Sequence, residues 1–141
     1  MKFRKVEGGV TAAKGFWAAA TASGIKKQAE KDLALIYSQV PAAAAGMFTQ
    51  NRFQAAPVTI SRKHLADGRA QAIIVNSGNA NACTGEQGLK DAQKMTELTG
   101  KLLGLLPHDV LVASTGVIGQ FLPMTKLERG IRAIVGQLKA D

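Results

Sequence analysis

The sequence predicts an α+β fold, layered in the α/β manner, with a mixed sheet and packed helices. Two short apolar runs, residues 72–75 and 110–113, are typical of buried strands. Each is followed by a polar loop and then by a segment with apolar residues every three or four positions, which indicates an amphipathic helix. This order favours a right-handed crossover and therefore two parallel strands. The 141 residues suit a single domain over residues 1–141.

The first half of the chain gives weaker signals. Residues 8–24 are rich in Gly, Ala and Thr, and we expect Phe16 and Trp17 to anchor them to the core. Residues 32–40 predict a strand that is buried on both faces at its start. The alanine-rich residues 41–46 predict a short helix or a tight connection.

Residues 56–60 predict one more strand. Pro57 lies near its start, where the missing N–H donor is tolerated. The two predicted helices of the second half have defined apolar faces, which are Leu89, Ala92, Met95, Leu98 and Leu102 in the first and Leu127, Ile131, Ile134, Val135 and Leu138 in the second. Capping-box spacing predicts their starts, at Thr84 with Gln87 and at Thr125 with Glu128, and the first helix is expected to end near Gly104.

Composition and charge exclude several classes of protein. No apolar run is long enough for a membrane span, and the basic start lacks the apolar region of a signal peptide. One cysteine excludes an internal disulfide framework and favours a reducing compartment, so we expect a cytoplasmic protein. The net charge is +8, and +5 of it lies within residues 1–31, where the basic residues are Lys2, Arg4, Lys5, Lys14, Lys26, Lys27 and Lys31. Because no aromatic residues interleave with them, this pattern favours a solvated basic face, or attraction of small anionic substrates, over a nucleic-acid site.

Two polar, glycine-bearing loops follow the predicted strands, at residues 76–85 and 114–123. If the strands are parallel, both loops emerge at the carboxyl edge of the sheet, where α/β proteins commonly place their sites. In the second loop, the hydroxyl of Thr115 and an outward-facing amide at Gly116 could converge on one oxyanion. The alternative is a simple strand-to-helix turn in which Thr115 bonds its own backbone.

The first loop leaves similar alternatives open. Its asparagines could bind a polar ligand or could hold the loop together; they are Asn76, Asn79 and Asn81. Cys83 precedes a predicted helix start, which favours a thiolate, but nothing places His64 or His108 beside it as a base. A small residue in a tight loop is the simpler interpretation. With one cysteine and two isolated histidines we expect no structural metal site, and no phosphate-binding or dinucleotide motif is present.

Four phrases of the chain resemble the ornithine acetyltransferase (glutamate N-acetyltransferase) family of arginine biosynthesis. They are KDLALI at residues 31–36, AAPV at 55–58, VNSGNANACTGEQGL at 75–89 and ASTGVIG at 113–119. The resemblance implies an N-terminal-nucleophile-like fold and an enzyme that moves acetyl from N-acetylornithine to glutamate, with acetyl-CoA as a further donor in some members. It also implies no cofactor, self-cleavage before a threonine, a β chain from the same precursor and an α2β2 assembly. The family's oxyanion hole maps onto Thr115 and Gly116.

The family's nucleophilic threonine and its substrate-holding residues lie beyond the matched segment. None of the threonines present is assigned the nucleophile's role. The resemblance therefore implies the amino-terminal part of the α segment, inactive alone. Two other hypotheses remain, a non-catalytic α/β domain that binds an anionic metabolite through its loops and helix N-termini, and a hydrolase that depends on Cys83.

Overall fold

The computed structural model describes residues 3, 5–27 and 29–140, so Lys2 and Arg4 of the basic segment lie outside the described residues. Within that part of the chain the strands are β1 (Phe16–Thr21), β2 (Leu33–Ala43), β3 (Arg69–Asn79) and β4 (Val110–Val117). They form one four-stranded sheet in the spatial order β1, β2, β3, β4. The first two pairings are antiparallel and β3 pairs with β4 in parallel. This mixed sheet confirms the predicted fold class and the predicted parallel pair.

Three helices accompany the sheet in the described residues: α1 (Ala56–His64), α2 (Gly85–Leu103) and α3 (Met124–Val135). Gly104 ends α2 in the left-handed conformation, with φ +71°, as its position after the last apolar residue predicts. The apolar faces of α2 and α3 are largely buried, but Leu102 and Val135 are half-buried, Leu89 is exposed and Leu138 lies beyond the end of α3.

The core lies between the helices and one face of the sheet. Its sheet residues recur at every second position, as a strand with one buried face requires: Leu33, Leu35, Ala72, Ile74, Val110 and Val112. The helices contribute Ala56, Ile60, Ala92, Met95, Leu98, Leu127, Ile131 and Ile134. The residues that alternate with them point to the other face of the sheet and are only half-buried, for example Ile36, Ile73 and Leu111. These three side chains line an open depression of about 290 Å³.

The predicted strand at residues 56–60 is wrong, because this segment begins helix α1. Its buried residues, Ala56, Pro57, Ile60 and Ser61, follow helical rather than alternating spacing. Proline is tolerated in the first turn of a helix, where the amides have no partner within the helix in any case. The β-branched Val58 and Thr59 favour a strand locally, and packing of α1 against the sheet overrides that preference.

Two further predictions in the first half need correction. The alanine-rich stretch is not a helix, because strand β2 continues to Ala43. The pairing of β2 with β3 shifts register between Tyr37 and Ala42, so Pro41, which has no N–H group, needs no hydrogen-bond partner in β3. Residues 16–21 form β1, which the sequence did not predict as a strand. Of the two aromatic residues expected to anchor this segment to the core, Trp17 meets the ring of Tyr37 edge to face, with 6.4 Å between the ring centroids. Phe16 instead lines the open depression on the other face of the sheet.

Neither predicted capping box forms. Thr84 does lie at the N-cap of α2, but its hydroxyl donates to Asn81 Oδ1 at 2.8 Å rather than accepting from the helix backbone. The third helix begins one residue before Thr125, with Pro123 at its N-cap. The spacing of a capping box is therefore present in the sequence without its hydrogen bonds.

Candidate functional site

The two loops singled out in the sequence begin as paired strand rather than as loop. β3 continues through Asn79 and β4 through Val117, so that Asn76 pairs with Ser114, Ser77 with Thr115 and Gly78 with Gly116. The prediction that the two segments meet at one edge of the sheet is confirmed.

Helix α1 covers only the first part of the outer edge of β4. The Ser61 hydroxyl accepts from Val112 N–H at 2.9 Å and donates to Val112 C=O at 2.7 Å. His64 Nδ1 lies 2.8 Å from Val110 C=O. These peptide groups therefore face away from β3. Because peptide groups alternate along a strand, the N–H of Gly116 faces the same outer side, beyond the reach of these α1 side chains.

The pairing register shifts at Gly78 and Asn79, opposite the end of β4, but the carbonyl of Val117 still accepts from Ala80 N–H on the β3 side. Thr115 and Gly116 are both exposed. Within the described residues the Thr115 hydroxyl has no hydrogen-bond partner, so Thr115 does not bond its own backbone. An outward amide and an unbonded hydroxyl thus occupy successive positions of one exposed edge.

Gly116 and Gly78 lie in close backbone contact. Their φ angles are +132° and +102°, a region that residues with a side chain rarely adopt. A Cβ atom at Gly116 would lie 2.7 Å from the carbonyl oxygen of Gly78 and 2.5 Å from the amide nitrogen of Asn79. Glycine at position 116 is therefore a requirement of packing as well as of backbone conformation.

Asn76 and Asn79 hold the two segments together. Asn76 Nδ2 donates to Asn79 C=O at 2.9 Å, and its Oδ1 accepts from the Ser114 hydroxyl at 2.6 Å. Asn79 Nδ2 donates to the carbonyl groups of Gln120 and Phe121 at 3.2 and 3.1 Å. Both asparagines are buried, so their amides serve the scaffold rather than a ligand.

Asn81 completes this network at the start of α2. Its backbone N–H donates to Asn79 Oδ1 at 2.8 Å, and its own Nδ2 donates to Gly88 C=O at 2.9 Å. It is fully buried and has a left-handed φ of +48°, which asparagine tolerates better than most residues. Of the two interpretations of the asparagines, the structure supports the one in which they hold the loop.

Cys83 lies at the exposed end of this loop, with φ +57°. It borders a cavity of about 220 Å³ that is also lined by Gln54, Thr59 and Leu89. His64 and His108 both lie near the opposite, amino end of β4, the first bonded to Val110 and the second in the turn before that strand. The structure therefore does not bring a histidine beside the thiol.

Asp32 is a buried acidic residue that the sequence did not single out. Its side chain is buried and accepts four backbone N–H bonds, from Ser23 at 2.6 Å, Gly24 at 3.1 Å, Ile25 at 2.7 Å and Lys26 at 2.9 Å. Burial acts to raise the pKa of this carboxyl, but the backbone donors outweigh it and hold the pKa below its ordinary value. The sequence feature that could have indicated this role of Asp32 is the turn of small residues with Gly24, which comes shortly before Asp32 and strand β2.

Within residues 3, 5–27 and 29–140 no three His, Cys, Asp or Glu side chains cluster as metal ligands would. None of the helices in these ranges has the length and apolar character needed to cross a membrane.

Solved structures show a class of protein with this fold. The crystal structure of the arginine biosynthesis bifunctional protein ArgJ from Bacillus halodurans superimposes with a TM-score of 0.86 at 47% identity, over 89% of this chain and 65% of that one. Ornithine acetyltransferase from Mycobacterium tuberculosis, solved with ornithine, gives a TM-score of 0.91 at 42% identity, over 94% of this chain and 72% of that one. The fold is thus that of the ornithine acetyltransferases.

Sequence comparison gives the family. The model of the ArgJ family matches residues 17–141. The bifunctional ArgJ protein of Geobacillus kaustophilus is 52% identical over 137 residues, which cover 96% of this chain and 33% of that protein. Its counterpart in Symbiobacterium thermophilum is 50% identical over 136 residues, or 95% of this chain and 34% of that protein. The chain belongs to the ArgJ family, and it spans about a third of the length of these curated relatives.

Proposed function

We propose that this chain supplies the oxyanion half of the active site of an acetyltransferase that moves an acetyl group from N-acetylornithine to glutamate in arginine biosynthesis. The observation that supports the proposal most directly is the pair of donors on the exposed edge of β4, the outward N–H of Gly116 and the unbonded hydroxyl of Thr115. Family membership adds the substrate class, because one relative is an ornithine acetyltransferase that was solved with ornithine.

The chemistry assigned to these donors is stabilisation of a tetrahedral intermediate. A nucleophilic hydroxyl attacks the acetyl carbonyl of N-acetylornithine, and the carbonyl oxygen becomes an oxyanion that accepts from Thr115 and Gly116. Collapse of the intermediate breaks the amide bond and releases ornithine, whose amine takes a proton. The amine of glutamate then attacks the acetyl ester through a second oxyanion at the same position, and the hydroxyl is restored.

The nucleophile in this proposal lies outside the 141 residues. It is a threonine freed at the amino terminus of a β chain by self-cleavage of a common precursor, and its own α-amine serves as the base. The present chain is then the amino-terminal part of the α segment, in an α2β2 enzyme of the cytoplasm that requires no cofactor. Acetyl-CoA is a second acetyl donor of the same site.

Preorganisation makes the edge of β4 suitable for this role. Gly116 is fixed by its contact with Gly78, and Ser114 is fixed by its hydrogen bond to Asn76. Donors that are fixed before the reaction need no reorganisation when the charge develops, which is the condition for a large electrostatic effect on the rate.

The test is an assay of the complete enzyme beside the 141-residue chain alone. We expect the complete enzyme to form N-acetylglutamate and ornithine in equal amounts, and we expect no turnover from the chain alone. Turnover by the chain alone would show that the nucleophile lies within it. Saturable binding of glutamate or phosphate by the isolated chain, with an inactive complete enzyme, would favour the non-catalytic metabolite-binding domain instead.

A further inference from the structure

The backbone of residues 23–26 wraps around the carboxylate of Asp32. Asp32 is 2% exposed, and its two oxygens accept the backbone N–H groups of four successive residues, Ser23 to Lys26. Four donors converging on a single charge form a compact anion-binding turn. Charge-assisted bonds of this kind are stronger than neutral ones, so the carboxylate fixes the path of this segment.

The segment held by Asp32 lies against Gly78. A Cβ atom at Gly78 would lie 2.8 Å from Ile25 Cγ2 and 3.2 Å from Lys26 Cγ. Gly78 in turn lies against Gly116, where there is no room for a Cβ atom. Three layers are therefore in contact one after another. They are the side chains of Ile25 and Lys26, the backbone of Gly78 and the backbone of Gly116.

Asp32 also holds β3 through its main chain. Its carbonyl accepts from Ser77 N–H at 2.8 Å, and Ser77 is the residue that pairs with Thr115. The side chain of Asp32 thus fixes Ile25 and Lys26, which lie against Gly78. Its backbone carbonyl fixes Ser77, the residue before Gly78. Ser77 pairs with Thr115 and Gly78 pairs with Gly116, so both interactions of Asp32 act on residues that adjoin the two proposed donors.

We propose that Asp32 is a positioning residue for the Thr115–Gly116 donor pair, acting through the segment of residues 23–26 and through Gly78. Its catalytic consequence depends on the proposed function, whereas its effect on the backbone of β4 does not. Asp32 has no contact with the substrate in this proposal, and a misplacement of about 1 Å in the donors is enough to cost two powers of ten in rate.

Asp32→Asn is the main test variant because it keeps the shape of the side chain. The amide has one acceptor oxygen and turns an NH₂ group towards backbone donors, so part of the turn must open. Leu98→Ala is the matched control, since it destabilises the core near the other end of α2, about 20 Å along the helix from its start. Ile25→Ala is a second variant that removes the contact with Gly78 and leaves the carboxylate in place.

The first measurement is amide hydrogen exchange over residues 115–117 in the complete enzyme, read at Thr115 and Val117 because the outward amide of Gly116 has no hydrogen bond to lose. We expect Asp32→Asn to accelerate exchange there by roughly tenfold or more and Ile25→Ala to accelerate it less, because both loosen the same stack. Leu98→Ala should leave that segment unchanged. Unchanged exchange at residues 115–117 in both test variants would overturn the proposal, and the Ile25 variant gives the answer if Asp32→Asn does not fold.

The second measurement is the kinetics of the complete enzyme. We expect Asp32→Asn to lower kcat by roughly tenfold to a hundredfold with little change in KM, while Leu98→Ala, with a comparable loss in Tm, keeps kcat. Equal kcat values in Asp32→Asn and the wild type would reject the positioning role. An inactive wild type with accelerated exchange in Asp32→Asn would reject the proposed function and leave the positioning of the backbone by Asp32 supported.

Discussion

The backbone of Gly116 lies directly on that of Gly78, so a Cβ atom at position 116 would lie 2.7 Å from the Gly78 carbonyl oxygen. The contact joins the ends of two parallel strands. It explains why a glycine follows Thr115.

Gly116→Ala should therefore disrupt this edge of the sheet. We expect a loss of about 2 kcal/mol or more in the free energy of unfolding, because the new methyl group meets backbone atoms that cannot rotate away. Gly119→Ala is the control, since Gly119 also has a positive φ, +80°, but has open space around its Cβ position. Urea denaturation measures both. A smaller loss in Gly116→Ala than in Gly119→Ala would contradict the packing argument.

Asp32 should make stability depend on pH in the acid range. Its folded pKa lies below the ordinary 3.8, so the stabilisation is complete above that pH and is lost as the pH falls through the lower, folded value. We expect Tm to fall more steeply below pH 4 in the wild type than in Asp32→Asn. Parallel curves of Tm against pH for the wild type and Asp32→Asn would show that the Asp32 carboxylate does not contribute to the pH dependence of stability.

Ser61 should stabilise the edge of β4. Its hydroxyl is bonded to both the N–H and the C=O of Val112, and Ser61→Ala leaves these buried groups without that partner. We expect a loss of roughly 1–3 kcal/mol in the free energy of unfolding. Thr59→Ala, an exposed position of the same helix, is the control. Equal stability of the two variants would mean that water replaces the Ser61 hydroxyl without cost.

Cys83→Ser should leave acetyl transfer unchanged. The thiol lies at an exposed loop position, and both histidines lie towards the other end of β4, so no histidine lies beside it to act as its base. Steady-state assay of the complete enzyme, with thiol-modifying reagent as a second probe, measures this. Loss of activity in both experiments would restore the cysteine-dependent hypothesis.

The second half of the chain was predictable because its signals are local. Strands β3 and β4 each contain a short apolar run, and helices α2 and α3 have apolar residues every three or four positions. The order of these elements predicts the parallel pairing. The error at residues 56–60 has a physical origin, since a short apolar run with β-branched residues fits a strand or a buried helix equally well. Only packing of α1 against β4 distinguishes the two.

Within the site, the sequence predicted which segments meet but not how they are held. Thr115 and Gly116 are predicted from their own chemistry and from the family resemblance, and their role as oxyanion donors stays a prediction. Asp32 was not predicted, because its function arises from four backbone amides that no sequence pattern shows. Likewise the contact of Gly116 with Gly78 depends on strand register, which is a tertiary property.

The most direct test of the proposed function is kcat of Thr115→Ala in the complete enzyme, with N-acetylornithine and glutamate as substrates. Loss of one oxyanion donor costs ~3–4 kcal/mol of barrier, so we predict that kcat falls by roughly two to three powers of ten with little change in KM or folding. Thr125→Ala, an exposed threonine on α3, should keep the wild-type rate. A Thr115→Ala enzyme with unchanged kcat would contradict the oxyanion role.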